Sequence, residues 1–191
     1  MLDIRQLVSA APARCGGVRV VGIDGRGGSG KSTLAASLSL ALNASVFHTD
    51  DFASWDNPLD WYGELIASVF EPIARGARVI TFSPSKWWSE PQPAPLTRED
   101  GELIILEGVS ALRSEFRPYL SVAVFVDVPR AIAVARGTRR DEAAGHPPAR
   151  VAQLWESWAD EEDRYFQRDN PKAFADIVVD GTRPLADQLQ L

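Results

Sequence analysis

A doubly wound α/β fold around a parallel sheet of about five strands is predicted by three features of the sequence. Short apolar runs rich in β-branched residues read as buried parallel strands. Between them lie longer stretches whose apolar residues recur three or four apart, as on helices, so that strand and helix alternate. A glycine-rich octapeptide stands between the first strand and the first long helix, where open α/β sheets bind their ligands.

In chain order, Val18 to Ile23 is the first strand and Lys31 to Leu42 the helix that follows the octapeptide. Ser45 to Phe47 is a weaker strand that runs into His48-Thr49-Asp50-Asp51, and Leu59 to Arg75 has helical spacing. Ser83 to Gly101 carries Pro84, Pro91, Pro93 and Pro95 around Trp87 and Trp88, which excludes a regular helix and marks an excursion. Leu103 to Leu106 and Val122 to Val126 are strands, Arg130 to Asp141 and Pro148 to Gln167 helices, and Ile177 to Val179 a last strand before Asp180-Gly181-Thr182. The second of these helices carries Leu154, Trp155, Trp158 and Tyr165 at a spacing that predicts a core face.

With 191 residues, 45% of them hydrophobic, and no linker or repeat, a single domain spanning 1–191 is expected. The net charge of −6 argues against a nucleic-acid partner and leaves anions to be bound locally. Cys15 is the sole cysteine, which rules out an internal disulfide or a cysteine-built zinc site and fits a reducing compartment. Met1 to Cys15 is broken by Asp3, Arg5 and Arg14, so neither a signal segment nor a membrane span is expected, and a cytoplasmic setting follows. No residue pattern sets the oligomeric state.

The octapeptide Gly25-Arg26-Gly27-Gly28-Ser29-Gly30-Lys31-Ser32 satisfies G-x-x-x-x-G-K-[ST] between a strand and a helix. Its glycines let successive backbone N–H groups turn toward phosphate oxygens, and the helix behind adds its positive end. Lys31 is placed to bridge the β- and γ-phosphates of ATP and Ser32 to ligate Mg²⁺, while Arg26 and Ser29 contribute backbone amides. Thr33 adjoins this set, at a position where helix packing is the simpler role.

Acidic residues at strand ends face the ligand in such a sheet. Glu107 closes Leu103-Ile104-Ile105-Leu106-Glu107-Gly108 and is the candidate metal carboxylate. Asp50, or its neighbour Asp51, follows the second strand and is the candidate to orient an attacking hydroxyl and take its proton. His48 and His146 have no ligand-like spacing and are left outside the site, His48 as a structural residue and His146 as part of a turn.

Taken together, the phosphate loop, Asp50-Asp51-Phe52 and Leu106-Glu107-Gly108 resemble the uridine kinase family, with its relatives phosphoribulokinase, pantothenate kinase and nicotinamide riboside kinase. The likeness runs nearly end to end and implies Mg²⁺-dependent transfer of the ATP γ-phosphoryl group to a hydroxyl of a small metabolite, with a nucleoside-like acceptor favoured. By resemblance Asp50 is the catalytic aspartate. Trp55-Asp56-Asn57-Pro58 looks like the segment whose aspartate, here Asp56, holds ribose hydroxyls. Arg136-Gly137-Thr138-Arg139-Arg140-Asp141 resembles the family's lid, about 136–148, in which Arg136, Arg139 and Arg140 close over the phosphates; positions three and four apart share a helical face. Phe174 to Gly181 resembles the family's last strand, whose following loop lies near the adenine.

Two departures bear on the acceptor. The chain between Asp50 and Asp56 is shorter than in typical uridine kinases. In the substrate excursion, about 52–100, Ser85-Lys86-Trp87-Trp88 stands where the family has a Tyr-Asp-aromatic segment and a histidine. Trp87 is a candidate substrate contact, through stacking, or a local packing residue. Two other readings compete: a kinase of a pantothenate- or sugar-like alcohol, and an ATP-binding regulatory or scaffold protein without transfer activity. No Asn-Lys-x-Asp motif supports a GTPase.

Overall fold

The five apolar runs pair side by side in the computed structural model, which describes residues 2–85, 96–99 and 101–190. In chain order the elements are β1 (Leu2–Asp3), α1 (Ile4–Ala10), β2 (Arg19–Gly25), α2 (Lys31–Leu42) and β3 (Ser45–His48). Next come α3 (Tyr62–Leu65), a π-helical stretch (Ile66–Phe70), α4 (Glu71–Ala74), β4 (Val79–Phe82) and β5 (Leu96–Glu99). Then follow β6 (Leu103–Glu107), β7 (Val122–Asp127), α5 (Arg130–Ala143), α6 (Pro148–Asp169), α7 (Pro171–Phe174), β8 (Ile177–Asp180) and β9 (Leu189–Gln190).

The main sheet has the order β3-β6-β2-β7-β8, and every neighbouring pair in it is parallel. Alternate strand residues point to opposite faces, and both faces are covered, which is why the strands read as unbroken apolar runs. On one side Val20, Phe47, Ile104, Leu106 and Phe125 meet Trp155, Trp158 and Tyr165 of α6 and the α3–α4 stretch. On the other, Val21, Ile23, Ile105 and Val124 meet Ile4 and Val8 of α1 and Leu34 and Leu38 of α2. The chain leaves β2 toward β3 and later returns past it to β7, so the order reverses at β2 and opens a crevice at the carboxyl ends.

The helix expected from Leu59 begins at Tyr62 and runs through the π-helical stretch to Ala74. Before it, Asn57 Oδ1 accepts from the Asp60 amide at 3.0 Å and the Pro58 carbonyl from Trp61 Nε1 at 2.8 Å, bonds that hold a turn in place of a first helical turn. Within the excursion, Leu96–Glu99 pairs antiparallel with Val79–Phe82. The prolines exclude a helix there but leave residues 96–99, which contain none, able to join a ladder. Trp87 and Trp88 lie outside the described residues. Among the described residues no helix is long and apolar enough to cross a membrane.

Candidate active site

The glycine-rich loop leaves the carboxyl end of β2 and wraps the start of α2. Gly28 has φ +80°, and a Cβ there would stand 2.5 Å from the Ala133 carbonyl of α5, so the loop passes this close to the helix only with glycine. Lys31, 6% exposed, donates from Nζ to the Arg26 carbonyl at 2.8 Å. The loop is also held from α6: Glu162 Oε1 accepts from the Gly27 amide at 2.7 Å, and Arg26 pairs with Glu162 and Asp163. Burial pushes the Glu162 carboxyl above its ordinary value, against the pull of the Gly27 amide, Lys31 and Arg26.

Sheet register assembles the next group. Glu107 of β6 is paired with His48 of β3 on one side and Ile23 of β2 on the other. Its Oε1 accepts from Ser32 Oγ at 3.2 Å, and its Oε2 lies 2.7 Å from His48 Nδ1. Burial pushes the Glu107 carboxyl upward, but the His48 hydrogen bond, Lys31 and Ser32 outweigh it and leave the group below its ordinary value. The same hydrogen bond raises His48. His48, set aside in the sequence, therefore touches the candidate metal carboxylate; strand register, which the sequence does not display, makes the contact.

Asp50 sits in the 3₁₀ turn Thr49–Asp51 that follows β3 and lines a cavity of about 490 Å³. Its accessible surface opens into that cavity. Desolvation there raises its carboxyl, Lys31 and Arg140 counter the rise, and Glu107 adds to it. Gly27, Gly28, Gly30, Lys31, Ser32 and Thr33 line the same cavity, with Glu107 beside them. Thr33, expected to serve helix packing, is exposed there because it lies on the first turn of α2, facing the opening.

Arg136, Gly137, Arg140 and Asp141 of α5 form the opposite wall. Arg136 donates to the Gly181 carbonyl at 3.0 Å, and Arg140 Nε to Asp141 Oδ1 at 2.9 Å. Arg139 is exposed and does not line the cavity; the inward stripe of α5 runs through 136, 137, 140 and 141, and 139 lies to one side of it. The third side is aromatic. Trp55, Trp155 and Trp158 line it, with Trp55 edge-on to Trp155 (6.5 Å, 80°) and to Trp158 (6.0 Å, 82°). Trp155 and Trp158 thus serve the core, as expected, and the cavity wall as well.

Other expected residues lie elsewhere. Asp56 is exposed and away from the cavity lining: Ser54 and Asn57 close a tight turn (Ser54 N to Asn57 O 3.1 Å, Asn57 N to Ser54 Oγ 3.1 Å) that carries Trp55 to the cavity and Asp56 outward. Asp51 is half-buried, with its carbonyl accepting from the Ser85 amide at 2.5 Å, and is not in the lining. Gly25 and Ser29 stand behind the cavity surface, Gly25 against the Val126 carbonyl and Ser29 buried.

Two buried carboxylates that hold the glycine-rich loop, Asp24 and Glu162, escaped the sequence reading. Asp24, fully buried, accepts from the amides of Gly25 (2.6 Å), Ser110 (3.2 Å) and Leu112 (2.8 Å) and from the Tyr165 hydroxyl (2.5 Å). It ties the loop to the turn after β6 and to α6, and burial raises its carboxyl to about 6. The signal was an aspartate directly after the apolar run Val18 to Ile23, at the carboxyl end of β2. Glu162 had none, lying within the acidic run Asp160-Glu161-Glu162-Asp163.

The same architecture occurs in solved structures. A possible uridine kinase from Bacillus stearothermophilus superposes with a TM-score of 0.64 at 24% identity, over 93% of this chain and 99% of its own. A provisionally named fructose transport system kinase from a Silicibacter species superposes with a TM-score of 0.62 at 19% identity, over 84% of this chain and 89% of its own. No protein-family profile and no curated protein matches the chain. The likeness to uridine kinase-like proteins carried by the motifs therefore extends to the fold, an α/β fold with an all-parallel five-stranded sheet.

Proposed function

We propose that the chain is an ATP- and Mg²⁺-dependent phosphotransferase acting on a hydroxyl of a small metabolite, with a nucleoside-like acceptor favoured by the family resemblance. The observation that carries this reading is the convergence of Lys31, the Ser32–Glu107 pair, Asp50, Arg136 and Arg140 on one cavity. A loop that binds anions alone needs neither the orienting aspartate nor the lid arginines.

The residues fit the nucleotide and the metal. The amide-rich loop at the head of α2 would hold phosphates, and the 3.2 Å approach of Ser32 Oγ to Glu107 Oε1 gathers hard oxygen donors of the kind Mg²⁺ takes alongside phosphate and water. MgATP held there would supply the phosphoryl group, and the metal would neutralise charge on the phosphate oxygens. Lys31, which donates to the Arg26 carbonyl, would hold a phosphate oxygen of the bound nucleotide. Asp50 orients the acceptor hydroxyl and takes its proton, aided by the raised affinity for protons that desolvation gives it. Arg136 and Arg140 converge from α5, and the tryptophan wall keeps water from that end.

A second reading, an alcohol other than a nucleoside, is favoured by the outward turn of Asp56. We place the protein in the cytoplasm, acting on a small molecule and not on nucleic acid or a membrane, on its acidic charge and single cysteine. ADP release from MgATP, measured across nucleosides, pantothenate-like alcohols and sugars with Lys31→Ala as the blank, tests the proposal. Acceleration by an acceptor in the wild type alone supports it and identifies the class. ATP binding that no acceptor ever converts to turnover overturns it.

A further inference from the structure

We infer that Trp155 is a positioning residue for the lid: its indole N–H pins the Asp141 carboxylate, and that carboxylate sets the Arg140 guanidinium at the cavity. Trp155 Nε1 donates to Asp141 Oδ2 at 2.9 Å, and Asp141 Oδ1 accepts from Arg140 Nε at 2.9 Å. The Arg140 Cζ also lies 5.4 Å from the Trp155 ring centroid, so one side chain touches both members of the pair.

Trp155 is itself fixed. It is 4% exposed, and its six-membered ring fills a notch between loop and lid: a Cβ on Gly137 would fall 2.4 Å from it and one on Gly27 2.8 Å. Arg140, by contrast, has a side chain 66% exposed. A long exposed side chain has many rotamers, and a single contact to a mobile carboxylate would not select one. An aspartate anchored from the core does select one, and it engages only Nε of the five guanidinium donors, which keeps the Nη fork for phosphate oxygens.

The inference rests on the proposed nucleotide-binding role of the cavity, and the test is a binding measurement that needs no acceptor. Affinity for a non-hydrolysable MgATP analogue is measured in the wild type, Trp155→Phe, Asp141→Asn and Arg140→Ala, and in Arg140→Ala combined with each of the other two. We expect Trp155→Phe and Asp141→Asn each to weaken binding by about tenfold in the wild-type background and to have no further effect once Arg140 is absent. A Trp155 that only packs would weaken binding equally in both backgrounds, and that result, or unchanged binding in both single variants, overturns the inference. Asp141→Asn leaves the indole in the core and keeps the test valid if Trp155→Phe unfolds. A wild type that binds no analogue overturns both proposals, whereas one that binds but transfers to no acceptor overturns phosphotransfer alone.

Discussion

Gly137→Ala places a methyl group where the Trp155 indole already lies. The new Cβ would stand 2.4 Å from Cη2 and Cζ2 and 2.6 Å from Cε2, against an ordinary contact distance of about 3.5–4 Å. The ring has no retreat, since Nε1 is bonded to Asp141 and Gly27 stands against its six-membered edge. Overpacking of this kind costs about 1–3 kcal/mol, and three ring atoms in conflict put the cost near the upper end. Replacing a helical glycine by alanine returns about 1 kcal/mol. The net destabilisation of about 2 kcal/mol corresponds to a fall in Tm of about 4–8 °C for a domain of this size. Gly63→Ala, in α3 with nothing within 4 Å of the new Cβ, is the control and should hold or raise Tm. Thermal unfolding followed by circular dichroism reads both. A Gly137→Ala protein as stable as the control would refute the notch between α5 and the glycine-rich loop.

Further predictions concern the site. Lys31→Ala should lower acceptor-dependent turnover by at least about a hundredfold with circular dichroism unchanged, and activity near the wild type would remove the phosphate loop from the chemistry. Asp50→Asn should lower kcat by about 10²–10⁴ with nucleotide affinity retained; if kcat holds, the hydroxyl is oriented by another group, with Asp51 next to be tested. His48→Ala removes the hydrogen bond to Glu107 Oε2, and the Mg²⁺ concentration for half-maximal activity should rise by about 10-fold or more, an effect that a surface histidine would not produce. Asp24 has a folded-state pKa raised from 3.8 to about 6, so its contribution to stability is complete below the unfolded value and is lost as pH rises through the folded one. Denaturant titrations should show the wild type losing about 3 kcal/mol from this group between roughly pH 4 and 6, and Asp24→Asn lacking that loss; parallel profiles for the two proteins would remove Asp24 from the account.

Much of the architecture was legible in one dimension because its determinants are local. Apolar runs such as Leu103 to Leu106 specify buried strands without reference to the rest of the chain, and the spacing of glycines before Lys31 specifies the tight turn between β2 and α2. All five predicted strands entered the main sheet, including the short runs at Ser45 and Ile177. The approach of Ser32 to Glu107 followed from strand and helix order, since both lie at the carboxyl edge of the sheet. The antiparallel β4–β5 pair was not legible, because pairing across a proline-rich excursion depends on a partner remote in sequence.

The tertiary structure decided which side chains actually meet. His48 reaches Glu107 through the register of two parallel strands, and a register shift of one residue would have turned it to the other face. Asp56 turns outward and Trp55 inward because a four-residue turn fixes them, and Arg139 leaves the cavity face of α5 because helical phase separates it from Arg136 and Arg140. Asp24 and Glu162 owe their roles to amides brought from distant segments, a relation that a lone aspartate or an acidic run does not encode. Composition and periodicity determined where strands, helices and the phosphate loop would form; contacts between residues more than a hundred positions apart, such as Tyr165 with Asp24, arose only when those elements packed.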